Sequence, residues 1–118
     1  MKMRFLNIAA IALMAAVPSF VASSSSAFAQ QAAPFELTLK DHKFSPAEIK
    51  APAGKALSIT LKNLDTTPAE FESKALRFEK VVKGGAEVTV QVRALTPGRY
   101  KFVDEFNEAT AQGFLVIE

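Results

Sequence analysis

The sequence predicts a single all-β domain, a sandwich of seven or eight short strands. Short stretches in which apolar and polar residues alternate recur along the chain, and the clearest covers residues 57–61. Turn signals rich in proline and glycine separate these stretches at regular intervals. No long amphipathic helical pattern, internal repeat or second domain is evident. Short strands with regularly spaced turns are typical of a β-sandwich.

The N-terminal 29 residues have the features of a secretory signal peptide. Lys2 and Arg4 precede an apolar run over residues 5–21, and Ala27-Phe28-Ala29 fits a cleavage site. The run is shorter than the roughly 20 residues that span a bilayer. We therefore expect cleavage, export to the periplasm and no membrane insertion of the mature chain, rather than an uncleaved anchor.

The remaining chain is expected to form a short tether over residues 30–34 and one domain over residues 35–118. The leader carries two of the 14 basic residues and none of the 12 acidic residues, so the mature chain has equal numbers of basic and acidic residues. This balance does not support nucleic-acid binding. The chain has no cysteine, and all three methionines lie in the leader, which excludes disulfides and sulfur ligands in the mature domain. A small exported domain without disulfides fits a bacterial periplasm.

The first half of the domain contains three expected strands. Residues 35–40 alternate cleanly, residues 48–51 form a short strand before a Pro-Ala-Gly turn, and residues 57–61 form the third strand. Residues 41–46 are expected to form a turn or bulge, with Phe44 in the core. Residues 63–68 are rich in side chains that bond their own backbone, so they are expected to form a loop.

The second half has one ambiguous region. Within residues 69–77, Glu70-Phe71-Glu72 would extend a strand, whereas residues 73–76 would form one helical turn. Residues 79–82 and 88–92 are strand-like, and Gly84-Gly85 predicts a hairpin turn between them.

The last third of the chain, residues 95–118, is predicted to form a turn, a strand, an acidic loop and a closing strand. Pro97-Gly98 is a turn signal, residues 99–102 alternate, and residues 113–117 are apolar on both faces. The expected core residues are Leu57, Ile59, Leu61, Val88, Val90, Tyr100, Phe102, Phe114 and Val116.

Acidic residues are the main candidates for a functional site. They fall into three groups: Glu70 with Glu72, then Glu79, then the late loop with Asp104, Glu105 and Glu108. Clustered carboxylates raise one another's pKa unless a cation neutralises them. The alternative is a solvated surface in which they pair with Lys74, Arg77, Lys80 and Lys101. His42, the sole histidine, is either a solvated turn residue or a ligand.

Common hydrolytic sites are not supported by the sequence. No Gly-x-Ser-x-Gly pattern is present, and His42 is the one available imidazole base. Paired carboxylates can cleave glycosides. However, the chain has no tryptophan and one tyrosine, which argues against a cleft that stacks sugars.

The order of these features resembles a cupredoxin, a Greek-key β-sandwich. The resemblance rests on the Asn63-x-Asp65 loop, on Leu95-x-Pro97-Gly98-x-Tyr100-x-Phe102, and on the acidic loop before Gly113. Tyr100 also suits a tyrosine corner. Blue-copper cupredoxins have a histidine ligand after the Asn loop, and this chain has Glu70 there. Their later loop supplies a cysteine, a histidine and a methionine. Around those positions this chain has Asp104, Asn107 and Ala111 or Gln112. Without the thiolate a blue-copper centre is excluded.

Several short motifs of the sequence resemble those of a narrower group, the periplasmic proteins related to the EfeO cupredoxin domain. This family is associated with high-affinity uptake of ferrous iron, beside an inner-membrane iron permease and a periplasmic metal-binding partner. The motifs that carry the resemblance are Asp41-His42-Lys43-Phe44-Ser45-Pro46, Pro52-Ala53-Gly54-Lys55, Glu70-Phe71-Glu72-Ser73, Glu79-Lys80-Val81-Val82 and Thr110-Ala111-x-Gly113.

The resemblance implies a metal site built from carboxylates, for an iron or copper ion. We expect Glu70, Glu72 and Asp104 as ligands, with Glu79 and Glu108 in support and His42 as a further candidate. The predicted function is a periplasmic metal-binding protein of iron uptake, with oxidation of Fe²⁺ beside bound Cu²⁺ left open. The alternatives are a metal-free module that docks partners and a periplasmic copper-handling protein.

Overall fold

The described residues of the computed structural model are 32–118, together with Met3 and Ala16. Apart from those two residues, the predicted leader lies outside the described part, as do the first residues of the predicted tether. Residues 32–118 confirm the all-β class, with nine strands instead of seven or eight. The strands are β1 Ala33–Lys40, β2 Lys43–Ser45, β3 Glu48–Ala51, β4 Leu57–Asn63, β5 Ala69–Ser73, β6 Phe78–Val82, β7 Glu87–Val92, β8 Gly98–Asp104 and β9 Gln112–Ile117.

The strands form two sheets whose inner faces share one core. The four-stranded sheet has the order β2-β1-β4-β7, and the five-stranded sheet has the order β3-β9-β8-β5-β6. Strands β1 and β4 pair in parallel, as do β3 and β9, and the other pairs are antiparallel. A 3-10 turn over Glu105–Asn107 follows β8. Within the described residues, no helix has the length and apolar character needed to cross a bilayer.

Alternation along the strands decides which residues enter the core. In β4, Leu57, Ile59 and Leu61 are buried while the residues between them are partly exposed, as the sequence predicted. Between the two sheets, the ring of Phe44 on β2 packs against the rings of Phe71 and Phe102 on the five-stranded sheet, where Phe78 packs against Phe71. The Phe71 ring centroid lies 4.7 Å from that of Phe78, 5.7 Å from that of Phe102 and 5.9 Å from that of Phe44.

The last strand has the opposite phase from the one predicted. Leu115 and Ile117 are buried in the core, whereas Phe114 and Val116 are partly exposed on the outer face. An apolar run on both faces contains no alternation, so the sequence does not reveal its phase. On the outer face, the Arg99 guanidinium carbon lies 4.4 Å from the centroid of the Phe114 ring, a cation–π contact that covers this aromatic residue.

Three other local expectations are changed by the structure. Residues 43–45 form a short strand within the predicted turn. Ser73 ends β5, and a turn with a left-handed Arg77 (φ 59°) follows in place of a helical turn. The predicted hairpin at Gly84-Gly85 is wrong, because β6 and β7 belong to different sheets. The turn instead carries the chain from one sheet to the other.

The tyrosine corner is confirmed. The Tyr100 hydroxyl donates a hydrogen bond to the backbone oxygen of Thr96 at 2.8 Å. The ring of Tyr100 packs against the core. This bond ties the start of β8 to the loop that precedes it, as expected for a Greek-key sandwich.

Asn63 and Asp65 organise one end of the sandwich. The buried Asn63 amide donates to the backbone oxygens of Thr67 and Val82 at 2.9 and 3.2 Å, and its side-chain oxygen accepts from the Asp65 amide at 3.1 Å. The Asp65 carboxylate accepts from the backbone amides of Asp41 and His42 at 2.7 and 3.0 Å. These two residues are left-handed, with φ of 50° and 55°. Their amides hold the pKa of Asp65 below its usual value, with the His42 amide contributing most.

The substitution Asn63→Ala should destabilise the domain by about 2–3 kcal/mol, because it leaves buried backbone oxygens without a donor. Urea unfolding of the variant measures this loss through the midpoint and the free energy of unfolding. Thr89→Ala is the control, since its exposed hydroxyl bonds only with Thr60 across the strands, and we expect a loss below about 1 kcal/mol. Equal stability of the Asn63 variant and the wild type would contradict this account.

Candidate functional site

Strand β5 places two glutamates on the outer face of the five-stranded sheet. Ala69, Phe71 and Ser73 are buried, and Glu70 and Glu72 alternate with them and are partly exposed. The packing of Phe71 in the aromatic core fixes this phase, because successive side chains of a strand point to opposite faces. The two carboxylates therefore share one surface.

Strand β6 adds a third glutamate beside them. In the antiparallel register, Glu79 lies opposite Glu72, and Val81 lies opposite Glu70. Residues directly opposite each other on one face of a sheet have Cβ atoms about 4.5–5.5 Å apart. Like charges at this spacing repel each other, so the arrangement is unfavourable unless a proton or a cation is shared.

The 3-10 turn after β8 brings a fourth glutamate to the same place. Asp104, at the N-cap of this turn, is 1% exposed and accepts from the backbone amides of Glu70 and Phe106 through Oδ1, at 2.9 and 3.1 Å. Its Oδ2 atom accepts from the Asn107 side chain at 3.2 Å. These bonds attach the turn to β5. Glu105, the first residue of the turn, consequently lies next to Glu70.

Glu70, Glu79 and Glu105 form a compact group, the glutamate cluster. One carboxylate oxygen from each residue lies within 4.8 Å of the others. Glu72 adjoins the cluster, since its carboxyl group lies close enough to Glu105 for that residue to raise its pKa. Three converging oxygen ligands at this spacing suit a hard or borderline cation.

No basic side chain neutralises the cluster within residues 32–118. The ion pairs shorter than 4.0 Å in this part of the chain are His42 with Asp65, Lys62 with Glu36, and Arg99 with Glu48. The alternative in which Lys74, Arg77, Lys80 and Lys101 pair with the glutamates is therefore not formed at that distance.

Mutual repulsion changes the proton affinity of the cluster. A hydrogen bond with Glu79 raises the pKa of Glu70 to about 7, and desolvation and the charge of Glu105 act in the same direction. A hydrogen bond with Glu105 raises the pKa of Glu72, with desolvation and the charges of Glu105 and Glu79 adding to it, while Lys74 partly opposes the rise. A raised pKa means that a proton binds more readily here than on a free glutamate, so protons and a metal cation would compete for the cluster.

The structure brings together some of the predicted ligands and not others. Glu70 and Glu79 are in the cluster and Glu72 adjoins it, whereas both oxygens of Asp104 are used inside the fold. The role of Asp104 as a ligand stays a prediction. Glu105 was noted in the acidic loop but was not among the predicted ligands. The alternation of β8 would have indicated that Asp104 points into the fold and Glu105 away from it, because Asp104 has the inward phase of Tyr100 and Phe102.

Glu108 and His42 lie outside the cluster. Glu108 lines a neighbouring cleft of about 330 Å³, and its backbone oxygen accepts from the Gln112 side chain at 2.8 Å. His42 occupies the β1–β2 turn of the four-stranded sheet, where its Nδ1 atom lies 3.6 Å from Asp65 Oδ2. Their predicted metal-binding roles are not tested by this geometry.

Comparison with known sequences gives one family and one relative. Residues 10–117 match the model of the family described as "Cupredoxin-like domain". An uncharacterized protein of Rickettsia prowazekii (strain Madrid E) is 35% identical over 82 residues, a match that spans 70% of this chain and 66% of that protein. The match thus spans slightly less than two thirds of the relative.

Solved structures show the same fold at low sequence identity. Auracyanin A, a "blue" copper protein from Chloroflexus aurantiacus, has a TM-score of 0.63 and 15% identity, with 75% of this chain and all of that chain covered. The metal-binding domain of the Cu(I)-exporting P-type ATPase CopA of Streptococcus pneumoniae D39 has a TM-score of 0.62 and 14% identity, covering 72% and 84%. At such identities the likeness extends to the fold alone.

The residues of this chain do not fit a blue-copper centre. Such a centre is built on two histidines and a cysteine thiolate, and this chain has one histidine and no cysteine. The glutamate cluster offers carboxylate oxygens on the outer face of a sheet. Its chemistry is that of a site for hard or borderline cations.

The substitution Asp104→Asn should destabilise the domain by about 1–3 kcal/mol, because an amide nitrogen replaces one of the oxygens that accept these hydrogen bonds. Urea unfolding measures the loss. Glu105→Gln is the matched control on the next residue, which is exposed, and should unfold within about 0.5 kcal/mol of wild type. Equal effects of the two substitutions would contradict the structural role of Asp104.

In the presence of a chelator, the stability of the domain should fall as the pH rises from about 4.5 to about 7. The folded state binds more protons than the unfolded chain in this range, because the pKa of Glu70 rises from 4.5 to about 7 on folding. The free energy of unfolding at pH 5 and pH 8 measures the slope for wild type and for Glu70→Gln. We expect a shallower fall in the variant.

Glu87→Gln is the control for this pH dependence, since Glu87 is an exposed residue of β7 on the other sheet. It should keep the wild-type slope. A Glu70→Gln slope equal to that of wild type would show that Glu70 does not hold the extra proton.

Proposed function

Given that the chain belongs to the cupredoxin-like domain family, we propose that it is a metal-binding protein and not a blue-copper electron carrier. The glutamate cluster is the proposed site, with Glu70, Glu79 and Glu105 as ligands and Glu72 in support. The observation that carries the proposal is the convergence of three carboxylate oxygens within 4.8 Å. Without a cation these groups repel one another, and the hydrogen bond with Glu79 together with this repulsion raises the pKa of Glu70 to about 7.

The donor set favours a metal that prefers oxygen ligands. Iron, manganese and calcium bind well to carboxylates, whereas Cu²⁺ gains more from imidazole. The single imidazole, His42, lies in the turn of the other sheet beside Asp65. Among these metals we propose iron as the cargo, because the chain resembles proteins of ferrous-iron uptake. Because Cu²⁺ binds most mixed sites more tightly than other divalent ions, copper handling is the competing hypothesis, and copper-binding neighbours support it.

The proposed biological role is iron uptake in the periplasm. It rests on the resemblance of the chain to proteins related to the EfeO cupredoxin domain and on the leader-like first 29 residues. In this role the domain would bind Fe²⁺ and pass it to an inner-membrane iron permease, together with a periplasmic metal-binding partner. Exchange is easier from an exposed site, and this cluster lies on an open sheet surface.

A second candidate function is a metal-free docking module. Two large apolar side chains flank the glutamates: Val81, opposite Glu70, is 64% exposed, and Phe106, next to Glu105, is 52% exposed. An acidic surface with exposed apolar residues also suits a basic partner protein. This function predicts that no specific metal binds and that chelators leave stability unchanged.

Metal binding distinguishes the two functions. Purified protein without a His-tag should bind about one Fe²⁺ per chain in anaerobic titrations at pH 7.5, and elemental mass spectrometry should find the metal after dialysis. Glu70→Gln and Glu105→Gln should each weaken binding by about tenfold or more, because each removes a charged ligand. Glu87→Gln should leave the affinity unchanged.

Competition with Cu²⁺ completes the experiment. If Glu70→Gln and Glu105→Gln both still bind Cu²⁺ as wild type does, the copper binds outside the glutamate cluster. That result would favour the copper-handling hypothesis, with a different site. Failure of wild type to retain any metal would overturn the metal-binding proposal and leave the docking module. Wild-type affinity for Fe²⁺ in both cluster variants would overturn the site assignment.

A further inference from the structure

A cleft of about 330 Å³ lies beside the glutamate cluster. Its wall is formed by the end of β5, the turn after it, β8 and the 3-10 turn. Small-molecule pockets usually range from about 300 to 1,000 Å³, so this cleft has room for a compact ligand. The lining residues that matter are Glu72, Lys74, Lys101, Val103, Glu105 and Glu108.

The cleft differs from the cluster because it contains both signs of charge. Lys74 and Lys101 line it together with Glu72, Glu105 and Glu108. In the described part of the chain, neither lysine forms an ion pair shorter than 4.0 Å. Two ammonium groups without a carboxylate partner in the fold can bind the anionic groups of a ligand.

The segments that carry the two lysines are held together from inside the fold. The Ser73 hydroxyl, which is buried, donates to the backbone oxygen of Lys101 at 2.6 Å and accepts from the Leu76 amide at 3.1 Å. Ser73 directly precedes Lys74, so this hydroxyl fixes the turn after β5 against β8. The two lysines therefore stand on neighbouring, fixed pieces of backbone.

We propose that this cleft binds a small polycarboxylate that arrives as the organic part of a metal chelate. Lys74 and Lys101 bind its carboxylates, and Val103 provides an apolar contact beneath them. Glu105 belongs to both the cluster and the lining of the cleft, and Glu72 lines the cleft beside the cluster, so a metal held by the cluster would lie next to the bound anion. This inference rests on the proposed function and names the form in which the metal is presented.

Equilibrium dialysis with radiolabelled citrate tests the inference, with Mn²⁺ as a metal that is stable in air. Three mixtures are compared: Mn²⁺ alone, citrate alone, and both together. Wild type should bind Mn²⁺ alone and should retain citrate in the presence of Mn²⁺. In the double variant Lys74→Gln/Lys101→Gln, citrate retention should fall by about tenfold or more, while binding of Mn²⁺ alone should stay within about twofold of wild type.

The matched control is Lys43→Gln, an exposed lysine on β2 of the other sheet, which should retain citrate as wild type does. Raised salt should weaken citrate retention, because the lysines are accessible to solvent. Mn²⁺ binding without citrate retention overturns this inference and leaves the proposed function in place. Equal citrate retention by the double variant also overturns it. If citrate retention requires the two lysines but not Mn²⁺, the inference that the ligand arrives as a metal chelate is overturned. The cleft would then be a site for the free anion.

Discussion

The buried carboxylate of Asp104 connects the fold to the site. It accepts the backbone amides of Glu70 and Phe106 and the side chain of Asn107, so one side chain joins β5, the end of β8 and the 3-10 turn. A buried charge is tolerated only when donors surround it. That requirement fixes the turn against β5 and thereby brings Glu105 to the two glutamates of the strand.

The site lies on a sheet surface and is shaped by the alternation of strands. Phe71 packs with three other phenylalanine rings, which forces Glu70 and Glu72 outward. Strand β6, at the edge of this sheet, is protected from unwanted pairing by Lys80. Lys80 has the same inward phase as Phe78 and Val82, but its side chain remains exposed. Inward-pointing charges on edge strands prevent sheets from associating. The edge is therefore better suited to side-chain recognition than to strand addition.

Protons and metal ions compete for the same place in this arrangement. The pKa of Glu70 is raised because neighbouring carboxylates surround it, and within residues 32–118 no basic side chain forms an ion pair with them. A cation that displaces a proton relieves the same repulsion, so metal affinity and stability are linked through pH. The lysines of the adjacent cleft lie just outside the cluster, which leaves the carboxylates available while providing positive charge nearby.

By itself, the sequence determined the all-β class, most strand positions, the tyrosine corner and the acidic character of the site, because alternation and turn chemistry are local properties. The absence of cysteine also excluded blue copper from composition alone. Only the tertiary structure decided that Glu105 joins Glu70 and Glu79, that Leu115 rather than Phe114 enters the core, and that the turn at Gly84-Gly85 joins two sheets. Each of these depends on which neighbours cover a residue, and packing between strands distant in sequence determines that.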